Sequence, residues 1–245
     1  MLNNSTKLQL ILIIVSAIFL RFYQIDTQGF TDSDEFASRF FINDYWNFHD
    51  LDGIRGSFWG RPTAFVLDIF LYNLFGIDPL IYLIRASIFG TLLILIIYLL
   101  GKNYFDQHTA IFGSAIAASL FTFIYYSRSM KFISLSLFFV SLCIFIFFYL
   151  TKKKEIDENK KYHIFFGILS SLSITSHPNT IPIIACLIFL YFLKFIFFDK
   201  KNLIKIIKIF LISFSSIIIF YELWFILFRI LPSFNTKDIS SFIQF

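Results

Sequence analysis

The chain has 245 residues, of which 58% are hydrophobic, 21% aromatic and 15% charged, and its mean hydropathy is +0.75. Soluble domains carry roughly 25% charged residues, so the composition excludes an ordinary water-soluble globule and leaves one helical membrane domain. The net charge of +5 resides in lysines beside apolar runs, which gives no reason to expect a nucleic-acid partner.

The first apolar run, 8–25, has Lys7 before it and Arg21 near its end. No small-x-small cleavage site follows, so it reads as an anchor. Further runs at 80–100, 108–126, 133–150, 162–176, 180–198 and 209–230 bring the expected transmembrane helices to about seven, because a hydrocarbon layer of ~30 Å takes ~20 apolar residues to cross. Segment 62–75 is also apolar, but it has 14 residues and contains Asp68 and Asn73. It is expected to be an interfacial helix in the first loop. Cys143 and Cys186 both fall inside apolar runs and read as packing residues.

Lysines set the expected orientation. With the N-terminus cytoplasmic, segments 1–7, 101–107, 151–161 and 199–208 are inside, and they hold Lys7, Lys102, Lys152, Lys160, Lys161, Lys205 and Lys208 among others. Segment 26–79 is then an extracytoplasmic loop with nine acidic residues against Arg39, Arg55 and Arg61. All seven arginines, at 21, 39, 55, 61, 85, 128 and 229, fall in outer loops or at outer span ends. Arginine on one face alone fits planar, bidentate recognition of phosphate, or ordinary ion pairing with the acidic loop.

The loop after the first span contains Asp32, Asp34 and Glu35. Asp32-x-x-Glu35 can open a helix as a capping box. Alternatively, Asp34 can act as a general base at the membrane surface while Glu35, about 100° away on a helix, caps or orients. Arg61 opens segment 62–75, Arg85 begins the second span, Arg128 and Lys131 fill the short second outer loop, and His177 marks the outer turn after 162–176. Each alone can be an interface anchor or a turn residue; together they face one side of the membrane.

In this order the residues resemble the membrane glycosyltransferases of the GT-C type, notably the protein O-mannosyltransferase, aminoarabinose transferase and lipopolysaccharide-sugar transferase branches. The resemblance lies in a span ending at Arg21, the pair Asp34-Glu35, and Arg61-Pro62 followed by Leu74-Phe75-Gly76. It continues with Ile84-Arg85-Ala86-Ser87, a span ending Tyr98-Leu99-Leu100-Gly101, and Tyr126-Ser127-Arg128 with Lys131 and Ser134-Leu135. It implies a single GT-C-like domain over 1–245, with the active site in 26–79. Relatives of this type are usually longer, so the C-terminal part of the family fold is expected to be missing.

The resemblance further implies transfer of a sugar from a polyprenyl-phosphate donor to a lipid, glycan or protein acceptor on the extracytoplasmic face. Asp34, with Glu35 beside it, takes the catalytic position, and Arg61, Arg85, Arg128, Lys131 and His177 are candidates for substrate binding. A phosphate leaving group is a weak base, so one carboxylate and several cations can suffice. No cofactor is expected; Asp34 and Glu35 could join a divalent metal, although no histidine stands at useful spacing. Two other readings stay open. One is a lipid or sugar-lipid transporter, for which Glu222 and Arg229 would be the intramembrane pair. The other is a non-catalytic membrane subunit or truncated remnant.

Overall fold

The computed structural model describes residues 4–27, 61–76, 79–129, 131–152, 160–198 and 202–230, with backbone alone at 4, 27, 72–73, 79, 198 and 224–230. The described residues are helical and include no strand. In chain order the helices are α1 (Asn4–Phe22), α2 (Pro62–Phe75), α3 (Pro79–Tyr104), α4 (Gln107–Ser119), α5 (Phe121–Ser127), α6 (Ile133–Lys152), α7 (Lys160–Ser176), α8 (Ile181–Phe198) and α9 (Leu203–Ile230).

Among these, five stretches are long and apolar enough to cross a membrane: Ser5–Phe22, Leu80–Tyr104, Ile133–Lys152, Pro178–Phe197 and Leu203–Leu223. A sixth is reached if α4 and α5 together form one span. The molecule is therefore a multi-pass membrane protein. The remaining expected span, 162–176, lies in α7, a helix of 17 residues about 26 Å long. Segment 62–75 is helical as expected and ends at Gly76, whose φ of +79° is the left-handed C-terminal stop that glycine takes without strain.

Two boundaries differ from the sequence reading. The first helix stops at Phe22 and not near residue 25, because Gln24 turns to φ +50° ahead of a short 3-10 turn, Ile25–Thr27. The run 108–126 is not one straight helix. It bends by 60° between α4 and α5, where Leu120 adopts an extended backbone at φ −65° and ψ 122°.

The packing has two halves. In the first, α3 lies against α1, α4, α5 and α6 through small residues. A Cβ added to Gly101 would lie 2.5 Å from the Ala110 Cα, and one added to Gly90 would overlap the Ser127 side chain. Such close approach is how helices associate when lipid removes the hydrophobic drive. In the second half, Val140, Cys143 and Phe147 of α6 meet Phe166 of α7, Ile184, Tyr191 and Phe195 of α8, and Ile206 and Phe210 of α9. The α7 helix is the hub, packed on α6, α9, α2 and α8. Its buried serines 170, 171, 173 and 176 keep it thin, and Gly167 takes the approach of Ser213. The hydroxyls of Ser173, Thr175 and Ser176 bond carbonyls one turn back, as Ser173 does to Leu169 at 2.7 Å, which satisfies these three without water.

Short connections make successive helices run in opposite directions, so the polar residues gather at two ends. At one end Lys152 Nζ donates to the Asn103 carbonyl at 2.8 Å, Gln107 bonds Thr6, and Tyr149 stacks on Tyr162 with ring centroids 4.2 Å apart. The other end holds the arginines of the described residues whose side chains are placed.

Candidate functional site

At the arginine end, α1 finishes, α2 and α3 begin, α5 gives way to α6, and α7 gives way to α8. Arg21 lies here with its side chain fully buried. Its guanidinium donates to the carbonyls of Ala17 at 3.2 Å, Ala118 at 3.1 Å and Ala117 at 3.4 Å. The last two belong to the final turn of α4, whose carbonyls the bend at Leu120 leaves without helical partners. Arg21 thus caps one helix from another, and its charge suits the negative end of the α4 dipole. Ser87 binds the same junction, with distances from its Oγ of 3.2 Å to the Arg21 carbonyl and 2.8 Å to the Ser127 carbonyl.

Arg85, nearly two turns into α3, is also buried but has a different partner. It forms an ion pair with Asp68 of α2, both side chains being shielded from solvent. A paired acid and base are the form in which charges survive burial. The Arg85 Cζ also lies 4.7 Å from the centroid of the Phe132 ring and 5.7 Å from that of Tyr82. A second guanidinium, Arg61, approaches the same Phe132 ring at 5.8 Å. Phe132 is therefore an aromatic plate carrying two cations through its π face.

Lys131 immediately precedes that plate, and His177 completes the group. The imidazole of His177 is held below its usual pKa, first by burial and then by the positive charges of Arg61 and Lys131. The ring is neutral and within electrostatic reach of two cations, and its Nδ1 accepts from the Asn179 backbone N–H at 3.2 Å. That leaves Nε2 as the protonated, donating nitrogen. The turn role considered for His177 is thus real, and it coexists with a place beside Arg61 and Lys131. Two cations and an imidazole donor make a surface suited to an anion.

The remaining candidates are placed as follows. Arg128 stands at the C-terminal cap of α5 and donates from Nη2 to the Gln24 carbonyl at 3.4 Å. Asp34 and Glu35 lie outside the described residues. Glu222 is partly buried on α9, and the Arg229 side chain lies outside the described residues. No group of three or more His, Cys, Asp and Glu residues suited to a metal occurs among the described residues.

Sequence reasoning passed over several members of this end. Asp68 counted only against a membrane span, although an acid in an apolar helix is itself a signal that a cation waits nearby. Thr63 of α2 lies 2.7 Å from Thr175 of α7 and 2.7 Å from the Tyr221 hydroxyl of α9. Three hydroxyls scattered over 158 positions offer no local pattern to find.

The comparisons with known proteins give one family. A family model described as dolichyl-phosphate-mannose-protein mannosyltransferase matches residues 62–224, from the first residue of α2 into α9. No curated protein and no solved structure matches the chain.

Proposed function

The chain belongs to the dolichyl-phosphate-mannose-protein mannosyltransferase family, membrane glycosyltransferases of the GT-C type, and we propose that it moves a sugar from a polyprenyl-phosphate donor to a lipid, glycan or protein acceptor on the extracytoplasmic face. The observation that carries this reading is the grouping of two cations, Arg61 and Lys131, with the neutral imidazole of His177; Arg61 immediately precedes the matched segment and the other two lie inside it. In the reading, these residues hold the donor phosphate and stabilise it as it leaves. Arg85 contributes indirectly, because Asp68 already neutralises it; it steadies the Phe132 plate against which Arg61 lies. Arg128 borders the site from the α5 cap.

The arginine end is extracytoplasmic in this proposal, and the lysine end cytoplasmic, in agreement with the positive-inside bias. Seven spans result when α4–α5 forms one broken span and α7 crosses as a short, centrally packed helix. The α2 helix lies at the outer interface, anchored by Thr63 and Asp68 to its neighbours.

In this proposal Asp34 is the general base and takes the proton of the acceptor. Replacement by Asn keeps the shape and removes the basicity, so transfer should fall by roughly a hundredfold or more at equal protein level. Glu35→Gln should cost less. The assay is sugar transfer from a polyprenyl-phosphate donor in liposomes. Full activity in Asp34→Asn rules out the base, and loss confined to Glu35→Gln moves the role by one residue.

A further inference from the structure

Thr63, Thr175 and Tyr221 come from three helices and meet at one point, and their protons can be assigned. Each hydroxyl owns one proton and two lone pairs. Thr175 spends its proton on the Ser171 carbonyl at 2.6 Å, so towards Thr63 at 2.7 Å it can only accept. Thr63 therefore donates to Thr175, and its remaining lone pairs accept from the Tyr221 hydroxyl at 2.7 Å. The chain runs one way, from Tyr221 through Thr63 and Thr175 to the Ser171 carbonyl. Its central atoms are shielded, Thr63 being 8% and Tyr221 7% exposed, so water does not compete for them.

The location of this chain gives it a purpose. Thr63 follows Arg61 by two residues, and Thr175 precedes His177 by two. Joining the two threonines therefore sets the N-terminus of α2 against the C-terminus of α7, with Arg61 and His177 on either side of the join. The other polar grip on α2, the Asp68–Arg85 pair, ties it to α3 more than a turn further along. Apolar packing of α2 would resist separation but not sliding or rotation, whereas a donor–acceptor chain is directional.

We propose that the Tyr221–Thr63–Thr175 chain is a positioning device that fixes Arg61 beside His177 and so sets the geometry in which the site holds its anion. This rests on the reading of Arg61, Lys131 and His177 as ligands of the donor phosphate. None of the three hydroxyls is a catalytic residue; they act through Arg61 and His177.

The test is steady-state sugar transfer in liposomes with a polyprenyl-phosphate sugar as the varied donor. Thr63→Val deletes both bonds and should raise the donor KM about tenfold while kcat stays within about twofold, the signature of lost binding geometry. Thr63→Ser keeps the hydroxyl and should stay within about twofold of the parent. Tyr221→Phe leaves only a lone pair of Thr63 unpaired and should raise KM by about threefold. An unchanged KM in Thr63→Val, or a serine variant as weak as the valine one, overturns the proposal. Should Thr63→Val fail to fold, Tyr221→Phe decides, because it removes a single oxygen; a parental KM there overturns the proposal as well. Arg61→Gln, measured alongside, separates the two levels. A raised KM in Arg61→Gln without one in Thr63→Val removes the hydroxyl chain and leaves the phosphate reading intact. An unchanged KM in Arg61→Gln removes both.

Discussion

Arg21 and Arg85 are both buried at the same end of the bundle, and they are partnered by different chemistry. Arg21 gives its hydrogen bonds to three backbone carbonyls. Its surroundings close there, on α1, the end of α4 and the Ser87 junction. Arg85 is matched by a carboxylate, and its surroundings continue through Phe132 to Arg61, Lys131 and His177. A guanidinium in a membrane protein is thus not by itself a ligand site. One that caps a broken helix is structural. One that belongs to a chain of charges continuing to further cations lies at an end where several positive groups gather.

Capping of helix ends by cations from neighbouring helices recurs elsewhere in the molecule. Lys152 reaches the last turn of α3 through the Asn103 carbonyl, and Lys194 reaches the end of α6 through the Leu150 carbonyl at 2.5 Å. In each case a positive group meets the negative end of a helix dipole and a carbonyl that lipid would leave unsatisfied. Arg21 is the third instance, whereas Arg85 stands apart from the pattern.

Loss of the Asp68 carboxylate should have the largest effect on stability. Asp68→Leu strands the Arg85 charge and should destabilise the fold by about 3–5 kcal/mol, read from unfolding in detergent. The double replacement Asp68→Leu with Arg85→Met should recover most of that loss, because an apolar pair of similar volume needs no neutralising partner. If the single variant is as stable as the parent, the pair is not buried as described. Arg21→Met should cost less, about 2–3 kcal/mol, the penalty for leaving the α4 carbonyls without donors. Arg21→Lys should not restore it, since one compact ammonium cannot span three carbonyls. The folded fraction of Arg21→Met should keep its donor KM within about twofold, which separates this guanidinium from Arg61.

Gly90→Ala pushes a methyl into Ser127 beside Arg21 and should cost at least about 1 kcal/mol. Gly113→Ala meets nothing nearer than Ile97 at 3.8 Å and should stay within about 0.5 kcal/mol. The smallest effect is at His177, whose pKa in the folded protein lies below the ordinary value of about 6.5 because of burial and then of Arg61 and Lys131. Below that pH the unfolded chain binds the proton more readily than the folded one. The stability associated with neutral His177 is therefore complete above about 6.5 and is lost as pH falls towards the folded pKa. His177→Gln should flatten that part of the stability–pH curve, and an unchanged slope would show that the cations do not reach the ring.

Much of the helical layout was legible because apolar runs report length directly. The break at Leu120 was not, since neither proline nor glycine marks it; the extended residue is stabilised by Arg21, which lies nearly a hundred positions earlier. Arg61, Arg85, Arg128, Lys131 and His177 could be grouped from the expected sidedness of the loops. Which of them are neutralised could not be foreseen, because Asp68 meets Arg85 across 17 positions and two helices. The hydroxyl chain was invisible for the same reason, as each of its members reads alone as an ordinary residue of an apolar helix.

In the proposed function Arg61 and Lys131 receive the phosphate of a sugar donor. The initial rate of sugar transfer against donor concentration tests this in the Arg61→Gln, Lys131→Gln double variant in liposomes, with folding verified by unfolding in detergent. Loss of two cations facing a departing phosphate should lower kcat/KM by roughly a hundredfold or more. A value within about twofold of the parent, in a folded protein, would contradict the account.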